Sequence, residues 1–94
     1  MGITDITTTL KALSDPIRRD ILNLLKKKNL TAGEIALLFP ISKPSLSHHF
    51  TVLKNANLIG SERKGQKIYY SLNATVFYEL LNDVLETFGE KNEN

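Results

Sequence analysis

The sequence predicts one mainly α (α+β) domain of about five helices, with a two-stranded β-hairpin between the fourth helix and the fifth. Three observations predict it. Apolar residues recur at helical spacing in several segments between residues 3 and 90, and most of these segments open on a capping side chain or a proline. Between Leu58 and Leu72 the period changes to alternation, on either side of the turn signal Lys64-Gly65-Gln66. The chain, at 94 residues, fits one domain over 1–94 with no length for a second. A core of that size is modest, so burying more surface between two copies would be physically useful.

Residues 3–13 set Ile3, Ile6, Leu10 and Leu13 at helical spacing. The run Thr7-Thr8-Thr9 weakens this helix, because β-branched side chains lose rotamer freedom there; packing on another element or subunit must support it. Ser14-Asp15-Pro16 opens the second helix with a capping side chain and a proline near its first position. Its inner face is expected to hold Ile17, Ile21, Leu24 and Leu25, with Arg18 and Arg19 directed elsewhere. Leu22 falls off that face and is left for another element or a second subunit. Lys26-Lys27-Lys28 suit the negative end of the helix dipole as well as they suit a phosphate.

Thr31-Ala32-Gly33-Glu34 matches a capping box. The short helix that follows is expected to bury Ile35, Leu38 and Phe39, while Ala36 allows close approach and Leu37 projects outward without a reason legible in the sequence. Pro40-Ile41-Ser42 separates it from a helix opening at Ser42-Lys43-Pro44. On a 3.6-residue wheel Leu46, Phe50 and Leu53 share one side, with His49 at its margin. Pro44, Ser47, His48, Thr51 and Asn55 share the other, which has no carboxylate and no large aliphatic group. Two short helices joined by a tight turn over 31–56 read as a helix-turn-helix, and small hydrogen-bonding groups behind a leading Lys43 suit the major groove of DNA.

The hairpin over 58–72 alternates Ile68, Tyr70 and Leu72 with Tyr69 and Ser71, and carries Arg63, Lys64 and Lys67 at its tip. An isolated charged hairpin end is usually there for solubility. Directly after a helix-turn-helix, phosphate or minor-groove contact becomes the favoured role. Asn73 is placed as the cap of a last helix over 73–90, whose stripe is Val76, Phe77, Leu80, Leu81, Val84, Leu85 and Phe88. Glu79, Asp83, Glu86 and Glu90 lie mostly outside the stripe. Seven large apolar groups exceed what a terminal helix needs to cover a small core, so pairing with the same helix of a second copy is favoured over packing within one chain. Residues 91–94 are expected to fray.

Composition bounds the functions. Hydrophobic residues make up 41% and charged residues 23%, as in an ordinary folded soluble protein. No apolar run is long enough to cross a bilayer, MGITDITTTL does not read as a secretion signal, and cysteine is absent; a cytoplasmic location is expected. The net charge of +2 hides an asymmetry: residues 1–71 hold 11 Lys+Arg against 5 Asp+Glu, and residues 72–94 hold 1 against 5. Such a split fits two surfaces with different tasks. Adjacent residues on a helix diverge by about 100°, so His48 and His49 do not share a metal. With no further histidine, no nucleophile beside an orienting carboxylate and no Gly-rich phosphate loop, neither an enzyme nor a cofactor site is expected.

Three stretches, LSDPIRRDILNLL at 13–25, ISKPSLSHHFTVLKNANLI at 41–59 and RKGQKIYYSL at 63–72, make the chain resemble the ArsR-type winged-helix repressors over nearly its whole length. The resemblance implies a homodimer joined through its first and last helices (3–13 and 73–90), with Ile6 and Leu10 meeting the α-helical stripe from Val76 to Phe88. It implies two reading helices in successive major grooves of an imperfect palindrome, each with its hairpin as a wing. Lys43, Ser45, Ser47 and His48 match positions that contact bases or phosphates in such repressors; Thr51 shares their exposed face, and Arg63, Lys64 and Lys67 match the wing. His48 stands where many relatives carry arginine, and an imidazole makes a shorter contact than a guanidinium fork. Metal sensors of the family use a cysteine pair before the reading helix or His and carboxylate ligands on the last helix. Here those places read GEIALL and Glu79, Asp83 and Glu86, so no metal is assigned. The motifs are closest to a metal-independent member, which implies autorepression relieved by a membrane-associated protein. The rivals are a winged helix that binds protein, whose outward helix face would be apolar or acidic, and a sensor of an unidentified ligand.

Overall fold

The computed structural model of the chain describes residues 6–89. Its elements run α1 (Ile6–Ala12), α2 (Pro16–Lys27), β1 (Leu30–Thr31), α3 (Ala32–Ala36), α4 (Lys43–Asn55), β2 (Ile59–Lys64), β3 (Lys67–Leu72) and α5 (Ala74–Phe88). The five helices are those expected. The sheet is larger than the expected hairpin: β1 joins the far edge of β3, with Leu30 opposite Tyr70 and Thr31 opposite Tyr69, giving three antiparallel strands in the order β1-β3-β2.

Seven residues are too few to hold a helix alone, and α1 is held by its smallest groups. Thr9 and Ala12 are fully buried, whereas Leu10 is 47% exposed and Ile6 half-buried. Small side chains let the helix approach closely and leave Leu10, expected at the contact between two copies, largely outside. Ile3 lies outside the described residues. The start of α2 is as expected, a capping side chain followed by Pro16 at the first helical position. Asp15 is the cap, its Oδ2 accepting from the amides of Ile17 (2.8 Å) and Arg18 (3.1 Å), while the Ser14 hydroxyl donates back to the Lys11 carbonyl at 2.7 Å. Ser14 therefore closes α1 instead of opening α2.

α2 is the central helix. Ile21, Leu22 and Leu25 are buried on it, and Ile17 and Leu24 only partly so. Leu22 is expected off the core face, for another element or a second subunit; it is 4% exposed and belongs to the core, with Leu13 and the α5 residue Phe77 packed at that core's edge. At α3 the capping box forms in full, with Glu34 N–H to Thr31 Oγ1 at 3.0 Å and Thr31 N–H to Glu34 Oε1 at 2.8 Å. Of the three residues expected inside, Ile35 is buried, Phe39 is partly buried and Leu38 is 56% exposed. The helix stops at Ala36, whose carbonyl a helical Pro40 ring would strike, so Leu38 falls outside the helical register.

α4 begins at the Ser42 cap, whose hydroxyl accepts from the Ser45 amide at 3.2 Å. It ends in a left-handed turn: Asn57 has φ of 60°, Leu58 N–H reaches the Leu53 carbonyl at 3.0 Å and Asn57 N–H that of Lys54 at 2.9 Å. That paired closure needs one residue at positive φ, a conformation asparagine tolerates better than most residues. Leu53, Leu58 and Ile59 then enter the core beside Ile21, Leu25 and Ile35. Asn73 precedes α5 as expected but makes no side-chain cap bond; its amide donates instead to the Leu58 carbonyl at 2.9 Å.

Candidate nucleic-acid interface

The two-faced character of α4 is plain in the fold. Leu46, His49, Phe50 and Leu53 are buried, and Lys43, Pro44, Ser45, Ser47, His48, Thr51 and Asn55 are exposed. Ser47, His48 and Thr51 lie together with Pro44 and Asn55 on the arc opposite the core. Lys43 and Ser45 sit on the two flanks of the first turn, Ser45 on the side of His49. Nothing on this surface is acidic, so it offers hydroxyl, imidazole and amide groups with cations at Lys43 and Lys54.

The hairpin is fixed to this helix from beneath. Tyr70 on β3 is 8% exposed and its ring stacks on Phe50 of α4, with centroids 4.4 Å apart. Beyond that anchor the strands, apart from the half-buried Tyr69, are exposed up to the turn, where Gly65 takes φ of 64°. A positive φ at that place favours glycine because it has no Cβ. Arg63 Nε donates across the turn to the Gly65 carbonyl at 3.2 Å, and Lys64 Nζ sits 5.5 Å from the Tyr69 ring centroid. Lys64 and Lys67 form the last rung of the hairpin, directly opposite each other. Like charges so placed destabilise a strand pair, and an anion between them would relieve the repulsion.

The last helix is less completely covered than the rest. Val76 and Leu80 turn into the chain's own core at 7% and 6% exposure, and Phe77 and Val84 are half-buried. Leu81, Leu85 and Tyr78 are 54%, 56% and 71% exposed. Phe88 closes the helix and its side chain lies outside the described residues. An apolar groove of about 440 Å³ runs along this side, lined by Leu72, Phe77, Leu81 and Val84 with Lys26 at its edge. Leu10 is open on α1, which packs against α5.

One group of polar residues escaped the sequence reading. His49 was placed at the margin of the core and Arg18 away from it, yet Arg18 Nη1 lies 3.1 Å from His49 Nδ1, and Asp15 Oδ2 lies 3.9 Å from the same nitrogen. The available signal was the Asp15-Pro-Ile-Arg18 spacing, which sets Arg18 one turn above the cap. Burial raises the Asp15 carboxyl, but the Arg18 amide, the His49 ring and the Ile17 amide together hold it below the ordinary range. Among the described residues no three His, Cys, Asp or Glu side chains come together as a metal-binding group.

Comparison with known proteins adds the context. The profile of the bacterial regulatory protein arsR family matches residues 15–61, which span α2 through the first residues of β2. The transcriptional repressor SdpR of Bacillus subtilis is 53% identical over 89 residues, covering 95% of this chain and 98% of that protein. The arsenical resistance operon repressor of Staphylococcus xylosus is 34% identical, over 99% of this chain and 88% of the relative. In structure, NolR from Sinorhizobium fredii superposes with a TM-score of 0.70 at 31% identity, covering 88% of this chain and 83% of that one. The wing, the helix-turn-helix and the flanking helices are thus those of a winged-helix regulator, and the chain belongs to the arsR family of bacterial regulatory proteins.

Proposed function

We propose that the chain is a dimeric transcriptional repressor that occupies an imperfect palindromic operator without a metal, and so blocks the promoter. The observation that carries this reading is α4 itself: its buried side is tied to the core and the wing, and its exposed side is polar, carboxylate-free and flanked by Lys43 and Lys54. Ser47, His48 and Thr51 read base edges; Lys43 and Ser45 hold the phosphates at the entry of the helix. Arg63, Lys64 and Lys67 hold the backbone at the wing, where the Lys64–Lys67 rung is relieved by a phosphate. Two copies pair through Leu10, Leu81 and Leu85, with Ile6, Phe77, Val84 and Phe88 at the border, which sets two reading helices about 34 Å apart on one face of the duplex. Val76 and Leu80 support that face from inside. SdpR and the staphylococcal relative are described as repressors, which favours a regulator working on cytoplasmic DNA over an enzyme.

The test is electrophoretic retardation of promoter fragments across a salt series. Binding that weakens steeply as salt rises, as counterion release demands, supports the reading. A chain that retards no fragment of its own genome at low salt, or whose contact with a partner is indifferent to salt, refutes it.

A further inference from the structure

Arg18 spans the distance from the end of α1 to the reading helix. Its Nε donates to the Ala12 carbonyl at 2.7 Å and its Nη2 to the Lys11 carbonyl at 3.1 Å, while Nη1 meets Nδ1 of His49 at 3.1 Å. A guanidinium only donates. Nδ1 must therefore accept, which leaves the proton on Nε2 and the imidazole neutral. His49 is 9% exposed, on the buried side of α4. The charged and titratable groups that face it are Asp15 at the cap of α2, Arg18 on the same helix, and its neighbour His48, whose ring centroid is 5.9 Å away. Burial, with the Arg18 and His48 charges, outweighs the Asp15 carboxylate and holds the imidazole below its ordinary value of 6.5.

We propose that Arg18 and His49 form a proton-sensitive latch fastening α1 to the reading helix, with Arg18 a positioning residue for DNA binding. A proton on Nδ1 turns the acceptor into a donor facing a donor. The imidazolium is then drawn toward Asp15 Oδ2, only 3.9 Å away, and the guanidinium loses its fixed point on α4. Its other two bonds go to the last carbonyls of α1, the helix that carries the exposed Leu10. Acid thereby loosens the proposed pairing helix from the proposed reading helix, and operator affinity falls with it. The link to operator affinity rests on the function proposed above; the latch itself does not.

Three measurements on the full chain separate them. Side-chain ¹⁵N NMR titration of the imidazoles needs no DNA. It should show His49 as the Nε2–H tautomer with a midpoint below 6.5, and Arg18→Gln should move that midpoint upward. Amide exchange at Leu13, which donates to the Thr9 carbonyl at the end of α1, should accelerate beyond the intrinsic pH effect as His49 protonates. Operator binding is then followed between about pH 5 and pH 8 in the wild type and in His49→Asn, whose amide oxygen can stand in for Nδ1 without titrating. His48 is present in both proteins, so the comparison isolates the change at His49. The wild type should lose on the order of tenfold more affinity on acidification. Parallel pH profiles of the two proteins, or a His49 midpoint indifferent to Arg18→Gln, overturn the latch. Loss of operator binding at every pH with the NMR result intact overturns the proposed function and leaves the latch standing.

Discussion

Leu85→Ala tests the pairing of two copies most directly. Leu85 is 56% exposed on α5 and Leu81, one turn before it, is 54% exposed. Burying a leucine side chain completely is worth roughly 1.5–3 kcal/mol. About half of that, on the order of 1 kcal/mol, remains to be gained when the exposed half of Leu85 is covered by a partner. A two-fold interface uses the residue twice, so truncation should weaken the dimer by about 2 kcal/mol, roughly thirtyfold in its dissociation constant. Because the removed atoms are largely in water in the single chain, thermal unfolding at concentrations where the chain is monomeric should change little. Sedimentation velocity over a concentration series reads the dimer constant, and retardation of a full operator against a half-site reads its consequence. The variant should lose affinity for the full site and keep its half-site affinity. An unchanged dimer constant in Leu85→Ala and in Leu81→Ala would refute pairing through this face.

Four further substitutions address the rest of the molecule. Ser47→Ala and His48→Ala, on the exposed arc of α4, should each relax base preference by about 1–3 kcal/mol, read from competition between operator variants; unchanged selectivity in both would remove them from the readout. Lys64→Ala should weaken binding to all sequences alike and lower the salt slope by about one, and a sequence-selective loss would contradict a phosphate role. Thr31→Ala removes the hydroxyl that accepts from Glu34 N–H and leaves half of the capping box, for a loss of about 1 kcal/mol in denaturant unfolding; operator selectivity should be unaffected.

Most of the helical order was legible because punctuation is local. The Thr31–Glu34 box, Ser42 before Pro44, and the split of α4 into Leu46, Phe50 and Leu53 against Ser47, His48 and Thr51 depend on spacing within a turn or two. What escaped depends on partners distant in sequence. Leu22 could be assigned only to another element or a second subunit, and it is the chain's own core, edged by Leu13 and Phe77, that takes it. Leu30 and Thr31 became a strand only because β3 offered them an edge, and two residues carry no periodicity. On α1, close approach selected the small Thr9 and Ala12 for the inner side, a choice that the spacing of the larger apolar groups does not foretell. The same limit hid the Arg18–His49 contact, whose members are 31 residues apart.

Leu58 occupies an unusual junction. Its amide closes the last turn of α4 onto Leu53, its carbonyl receives the Asn73 amide at the threshold of α5, and its side chain is wholly enclosed. A tug on the first turn of α5 must therefore either snap the Asn73 tether or drag the tail of α4 with it. Any molecule that seats on the outer wall of α5 gains a mechanical handle on the tail of α4 through a single residue, Leu58, whose N–H and carbonyl belong to successive peptide units.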